Sequence, residues 1–154
     1  MVLEEYHTVL DRNLNGTVYT VKAAAPHIKK RGAGKIVTVV SQACLGTTRN
    51  GTFAHYGTVK AAIMRYTQYL SADLGPFGIN VNAIAPGFIL TGRIKKDFLA
   101  RNDHVKFKEH TSLRRFGSPE DCDKVIEFLV TDLSDFVTGA CIDVTGGTVE
   151  KLAF

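Results

Sequence analysis

The sequence predicts an α/β fold in which helices cover a parallel β-sheet. Predicted segments alternate along the chain in the order helix, strand, helix, strand, lid and helix, strand. This alternation predicts parallel strands joined by right-handed crossovers. Residues 36–40 are five consecutive β-branched side chains, and such an unbroken run is typical of a parallel strand buried on both faces.

The first helical segment covers residues 3–28, where apolar side chains recur every three or four positions. This spacing is close to the ~3.6 residues of a helical turn and predicts one long helix. Basic residues and Gly32 at its end suit a helix C-terminus. Asn13, Asn15 and Gly16 are poor helix formers in its middle, so we expect a local feature that compensates for them.

The middle of the chain predicts a second helix and a second strand. Residues 53–74 are helical in pattern, and the glycine- and proline-rich segment 75–78 is a stop signal. Residues 79–85 form the strand, which ends at Pro86-Gly87. Residues 91–115 are charged and weakly periodic, which favours a surface helix or lid.

A third helix begins at Ser118, which is followed by proline and, three residues after the cap, by the acid Asp121. A last short strand covers residues 141–144 and ends at Gly146-Gly147. The predicted buried face of the third helix consists of Cys122, Val125, Ile126 and Leu129.

Composition excludes several classes of protein. The 154 residues contain no run near the ~20 apolar positions of a membrane helix, and the first residues lack the features of a signal peptide. We therefore expect a cytoplasmic protein without a membrane partner. Three separated cysteines predict reduced, mostly buried thiols, and five histidines without metal spacing predict no metal site. The net charge of +4 lies in short clusters, which argues against a nucleic-acid partner.

Tyr56 and Lys60 lie four residues apart near the start of the second helix, so their side chains share one face. A free tyrosine has a pKa of about 10, and a neighbouring ammonium favours the phenolate. The pair therefore suits general acid/base catalysis. Taken alone, the spacing is weak evidence, because helices often place such residues together by chance.

Five further motifs accompany this pair in a fixed order. They are Asn13-Leu14-Asn15-Gly16, Ser41 after the β-branched strand, Pro86-Gly87-Phe88-Ile89-Leu90-Thr91, Arg115-Phe116-Gly117-Ser118-Pro119-Glu120-Asp121, and Thr138-Gly139 with Gly146-Gly147. The ordered set resembles the C-terminal portion of the compact type of short-chain dehydrogenase/reductase, from residue 1 to about 147. Six motifs in order are far more specific than any one of them.

The resemblance implies the C-terminal part of a doubly wound, Rossmann-type parallel sheet, with three strands, flanking helices and the family's first four strands absent. Residues 1–154 would be a single partial domain. It also implies NAD or NADP as cofactor and a secondary alcohol or ketone as substrate, with a 3-oxoacyl compound as one candidate. A homodimer or homotetramer is the expected assembly.

The resemblance also implies roles for named residues. Tyr56 would transfer a proton to or from the substrate oxygen, and Ser41 would hydrogen-bond that oxygen. Lys60 would lower the tyrosine pKa and reach the cofactor ribose, together with Tyr56. Asn13 would complete a water-linked proton relay to Lys60. The set expected at the nicotinamide carboxamide is Pro86, Gly87, Ile89 and Thr91.

Ser41 departs from the family spacing. Members usually place this serine thirteen residues before the tyrosine, whereas Ser41 precedes Tyr56 by fifteen and Ala43 stands at the usual position. Either the loop at residues 46–52 carries a two-residue insertion or the serine is lost. We favour the insertion, because loops absorb length at little cost. His55, about 100° around the helix from Tyr56, is expected to face substrate or a subunit contact rather than to join the catalytic set.

Glycine-rich cofactor motifs such as Gly-x-Gly-x-x-Gly are absent from the 154 residues. Such a turn holds the cofactor pyrophosphate at a helix N-terminus. Two interpretations therefore stay open: an oxidoreductase whose cofactor-binding half lies elsewhere, and a truncated, non-catalytic fragment or subunit that cannot bind cofactor alone. The second would leave the strand at residues 36–40 with an open, aggregation-prone edge.

Overall fold

A computed structural model describes residues 2–46, 51, 53–92, 109 and 111–148 of the chain. Its three strands form one parallel sheet in the order β1-β2-β3. The strands are β1, Gly34–Val39, β2, Ile79–Pro86, and β3, Cys141–Val144. The predicted three-stranded parallel sheet with flanking helices is confirmed. Its carboxyl ends all lie at one edge, because the strands run in the same direction.

Four α-helices accompany the sheet within the described residues. They are α1, Leu3–Leu10, α2, Gly16–Arg31, α3, Ala54–Leu74, and α4, Pro119–Val130. Short 3₁₀ turns cover Gln42–Cys44, Gly75–Phe77 and Asp132–Ser134. Most of the predicted lid, residues 91–115, lies outside the described part of the chain.

The helix predicted over residues 3–28 is interrupted by a π-helix, Asp11–Asn15, between α1 and α2. The interruption falls on the segment that contains the poor helix formers Asn13 and Asn15. A π-helix adds one residue to a turn, so it is the local accommodation that those residues required. Helical structure then continues to Arg31, where Gly32 takes a left-handed conformation with φ 76° and ends it.

The core lies between β2 and the helices on one face of the sheet. Alternate β2 residues belong to two apolar clusters, one with Leu74 of α3 and the other with Ile63 of α3. Residues on the opposite face of β2 include Asn82, which is 1% exposed. Its side chain donates to the Val137 carbonyl at 2.8 Å and accepts from the Ala140 amide at 3.0 Å. A buried amide with both functions satisfied fixes the loop that leads into β3.

Three predictions of burial are corrected. Val39 in β1 is 50% exposed, whereas its neighbours Thr38 and Val40 are buried on the face covered by α3, so the described residues leave the opposite face partly uncovered at this end of β1. The cysteines are half-buried rather than mostly buried. In α4 only Leu129 of the four predicted side chains is fully buried, and the other three are half-buried.

Candidate active site

Tyr56 and Lys60 lie in the first turns of α3, on one face of the helix. The Lys60 ammonium Nζ is 5.6 Å from the centroid of the Tyr56 ring, within the range of a cation–π contact. Phe53, the residue before α3, has φ 70°, a left-handed conformation that is strained for a bulky side chain. The helix therefore starts from a constrained turn immediately before the pair.

Lys60 is a buried cation at the carboxyl edge of the sheet. Its side chain is 8% exposed, and Nζ donates a hydrogen bond to the Val39 carbonyl at 3.0 Å. Burial lowers the pKa of the Lys60 ammonium below its ordinary value. The thiol of Cys44 lies close enough to interact electrostatically with Lys60, and burial raises the pKa of that thiol.

Ser41 lies two residues after the end of β1, and the 3₁₀ turn that it begins packs against α3. Its hydroxyl Oγ accepts a hydrogen bond from the Ala43 amide at 3.2 Å, which caps the 3₁₀ turn Gln42–Cys44. A Cβ built on Gly57 would lie 2.7 Å from the Ala43 carbonyl oxygen. This close approach requires glycine next to Tyr56. It brings the loop that carries Ser41 beside the first turn of α3.

Asn13 lies in the π-helix, half-buried. Its side-chain amide Nδ2 donates to the Val9 backbone carbonyl at 3.0 Å. The backbone carbonyl of Asn13 accepts from the Thr17 hydroxyl at 2.7 Å. These hydrogen bonds stay within the helical segment, and among the described residues no direct bond joins Asn13 to Lys60. The π-helix that contains Asn13 packs against α3, the helix that contains Tyr56 and Lys60.

The segment after β2 is held by contacts to two other parts of the chain. The Gly87 amide donates to the Val144 carbonyl at the end of β3, at 3.0 Å. Ile89 pairs with Gly117 in an isolated parallel bridge. Pro86 ends β2 and is half-buried, whereas Thr91 is exposed. The four predicted cofactor contacts thus lie along one turn at the carboxyl edge of the sheet.

His55 points towards α1, and its expected contact with substrate or a second subunit stays a prediction. Its Nε2 lies 3.6 Å from the Glu5 carboxylate, and its side chain is 14% exposed. Tyr56 and His55 therefore leave α3 in different directions, as the helical rotation between neighbours requires. Keeping His55 out of the candidate catalytic set agrees with this placement.

A separate cavity of about 460 Å³ lies beside the end of β3. Neither Tyr56 nor Lys60 lines it. Its wall includes Arg115 and Asp121, which form a two-pronged ion pair with distances of 2.6 and 2.8 Å. Asp121 also accepts from the Ser118 amide at 2.8 Å, which completes the predicted start of α4. The arginine–acid motif therefore builds a helix terminus.

The described residues contain no cluster of histidine, cysteine and acidic side chains that could hold a metal ion. Within the same part of the chain, no helix has the length and apolar character needed to cross a membrane. The resemblance would place a nicotinamide cofactor at the buried Lys60 cation and the turn at Gly87. A Cβ on Gly87 would lie 2.9 Å from the Gln42 amide oxygen and 3.0 Å from Thr145 Cα, so Gly87 is packed closely between these two residues.

Comparison with known proteins decides the family. The sequence family described as enoyl-(acyl carrier protein) reductase matches residues 1–149. A cyclohexanol dehydrogenase from Rhodococcus sp. (strain TK6) is 53% identical over 139 residues, which cover 90% of this chain and 51% of that protein.

This chain belongs to the short-chain dehydrogenase/reductase family.

Solved structures of other short-chain dehydrogenase/reductases superpose on this fold. One from Mycobacterium ulcerans gives a TM-score of 0.90 at 33% identity, covering 96% of this chain and 53% of that one. A 3-oxoacyl-[acyl-carrier protein] reductase with bound NAD from Brucella melitensis gives 0.85 at 35% identity, covering 97% and 53%. The chain thus spans about half the length of the relatives that it matches.

Two contacts near the candidate site escaped the sequence reasoning. Gly57 is needed for the approach of Ala43, and its position between Tyr56 and Lys60 is the only sequence sign of it. Gln42 lies against Gly87, and its hydrogen bond to Thr148 spans 106 positions of the sequence. No local pattern predicts that contact.

Proposed function

We propose that the chain supplies the catalytic part of an NAD(P)-dependent oxidoreductase that interconverts a secondary alcohol and a ketone. The observation that carries the proposal is the Tyr56–Lys60 pair on α3, with the Ser41 loop against the same helical turn. Open α/β sheets bind ligands at the carboxyl ends of their strands. All three residues lie at that edge.

The chain's own groups perform the proton chemistry. In alcohol oxidation the Tyr56 oxygen takes the hydroxyl proton, and in ketone reduction it returns that proton to the oxygen. The Ser41 hydroxyl accepts from the Ala43 amide, so its single proton is free to be donated to the substrate oxygen. A nicotinamide cofactor, when bound, accepts or supplies the hydride.

Lys60 supports Tyr56 and the cofactor. One ammonium proton is used by the Val39 carbonyl, and two remain for the tyrosine side and for ribose hydroxyls. Asn13 would complete a proton relay that reaches Lys60 through water. The nicotinamide carboxamide would be held by Pro86, Gly87, Ile89 and Thr91.

Relatives support the cofactor class and leave the choice between NAD and NADP open. Solved family members carry bound NAD in one case and bound NADPH in another. The relatives also favour alcohol–ketone chemistry, since one is a cyclohexanol dehydrogenase and another a 3-oxoacyl-[acyl-carrier protein] reductase. We further propose a cytoplasmic homodimer or homotetramer.

The test is Tyr56→Phe in the full-length protein. With cyclohexanol as substrate, formation of reduced nicotinamide should fall by at least ~10²-fold, because the general acid/base is lost. Tyr69→Phe is the matched control, since Tyr69 lies on the same helix and is 73% exposed. Full activity of Tyr56→Phe would contradict the acid/base assignment.

The alternative is a non-catalytic fragment or subunit. It is favoured by the coverage of about half of each relative and by the missing glycine-rich turn. Calorimetric titration of the 154-residue chain with NAD and with NADP tests the fragment interpretation. Tight binding to this chain alone would overturn it, whereas a full-length protein that binds the cofactor but turns over no alcohol would support it.

A further inference from the structure

We propose that Gln42 is a positioning residue that sets the separation between the Ser41 loop and the Gly87 turn. The proposal rests on the proposed function, because it assumes that Ser41 meets the substrate oxygen and that the Gly87 turn meets the nicotinamide.

Gln42 makes contacts at the ends of the other two strands. Its amide oxygen Oε1 accepts a hydrogen bond from the Thr148 hydroxyl at 3.1 Å, and Thr148 follows β3. The same oxygen would lie 2.9 Å from a Cβ on Gly87, so it packs against the backbone of the turn after β2. Gln42 itself follows β1. One side chain therefore joins the carboxyl ends of all three strands.

Thr148, which bonds Gln42, is also held to the residues that follow β3. The Thr148 hydroxyl also lies 3.0 Å from the Thr145 carbonyl, so its proton faces two acceptors. Thr145 is 9% exposed, and its Cα would lie 3.0 Å from a Cβ on Gly87. The Gly87 turn is therefore enclosed between Gln42 and Thr145.

We expect Gln42 to affect the position of the Ser41 hydroxyl more than the stability of the fold. Gln42 is half-buried and belongs to neither apolar core cluster. Because Ser41 is its direct neighbour, a shift of Gln42 moves the hydroxyl that we place on the substrate oxygen. Misplacement of reacting groups by about 1 Å can cost ~10²-fold in rate, whereas one lost hydrogen bond costs little stability.

The experiment measures kcat, KM for NAD(H) and the thermal midpoint in the full-length protein. Gln42→Met and Thr148→Val each remove the Gln42–Thr148 hydrogen bond at similar volume, Thr148→Val also removes the contact with the Thr145 carbonyl, and Thr148→Ser retains the hydroxyl. Thr131→Val is the matched control, because its hydroxyl bonds the Phe128 carbonyl at the end of α4. We expect kcat to fall about tenfold in Gln42→Met and in Thr148→Val, with little change in KM or thermal midpoint.

The double variant should be no slower than Thr148→Val, because that variant already removes the Gln42–Thr148 interaction. Thr148→Ser should recover kcat. Wild-type kcat in Thr148→Val, additive losses in the double variant, or an equal loss in Thr131→Val would each overturn the proposal. If Gln42→Met does not fold, the Thr148→Val and Thr148→Ser pair decides the outcome.

Tyr56→Phe in the same assay separates this proposal from the proposed function. A wild-type protein that turns over no alcohol with either cofactor would overturn both. An active wild type with an inactive Tyr56→Phe and a fully active Thr148→Val would overturn only the positioning role of Gln42.

Discussion

Lys60 combines a catalytic candidate with a cost in stability. Its ammonium is taken out of water and, among the described residues, is compensated by the Val39 carbonyl without a carboxylate partner. Desolvation of an unpaired charge disfavours the folded state. A residue retained at such a cost is typical of a functional site.

Lys60→Met should therefore abolish turnover while raising the free energy of unfolding at neutral pH. Because burial lowers the pKa of Lys60 in the folded state, the unfolded chain binds more protons between that lowered pKa and the ordinary one. Stability of the wild type thus rises with pH across this window, and the advantage of Lys60→Met should shrink there.

Urea unfolding of both proteins from neutral to alkaline pH measures this difference. A variant less stable than the wild type at neutral pH would show that the Val39 hydrogen bond outweighs the desolvation of the ammonium. The activity loss should be at least ~10²-fold.

At the scale of elements, the junction between the Ser41 loop and α3 depends on the absence of a side chain at Gly57. Gly57→Ala places a methyl group 2.7 Å from the Ala43 carbonyl, so loop and helix must separate. We expect a loss of about 1–3 kcal/mol of stability together with a fall in kcat. Denaturant unfolding and steady-state rates measure the two effects.

Gly75→Ala is the control for that substitution. Gly75 has φ −53° and no atom within 4 Å of a Cβ built on it. There the same change should stabilise by roughly 0.4–1 kcal/mol, through the unfolded chain. Equal effects of the two substitutions would contradict the importance of the Ala43 contact.

The elements themselves were largely predictable from local patterns. The β-branched run gave β1 to within two residues, and the serine, proline and acid at residues 118–121 gave the start of α4. The break between α1 and α2 was signalled by Asn13, Asn15 and Gly16, but its π-helical form was not. Helical spacing alone does not distinguish a π turn from an α turn.

The candidate site was predictable only in part. Tyr56 and Lys60 share a helix, so their spacing sufficed to place them together. The Gln42–Thr148 and Gly57–Ala43 contacts join separate segments, and the sequence carries no periodic trace of them. Burial of Val39 was mispredicted because the β-branched run indicates what a strand can tolerate, not which parts of its two faces are covered.

At the scale of the whole molecule, the outer side of β1 is the open edge of the described sheet. Unpaired backbone groups and the half-exposed Val39 offer a template for another strand. Val39→Lys should therefore reduce concentration-dependent association of the 154-residue chain by several-fold, because a charged edge repels a second copy.

Sedimentation velocity over a range of concentrations measures that association. Val2→Lys is the matched control, since Val2 is 66% exposed and lies outside the sheet. Association that persists unchanged in Val39→Lys would exclude this edge as its cause.

The bond between Gln42 and Thr148 joins the beginning of the sheet to its end. During synthesis, residue 42 leaves the ribosome more than a hundred residues before its partner. Parallel strands also pair residues that are far apart in sequence, and such contacts slow folding. The Ser41 loop therefore lacks its hydrogen bond from Thr148 until β3 has packed against the sheet. The candidate site is thus among the last parts of the chain to mature, and premature termination before residue 148 would yield a sheet without a finished catalytic edge.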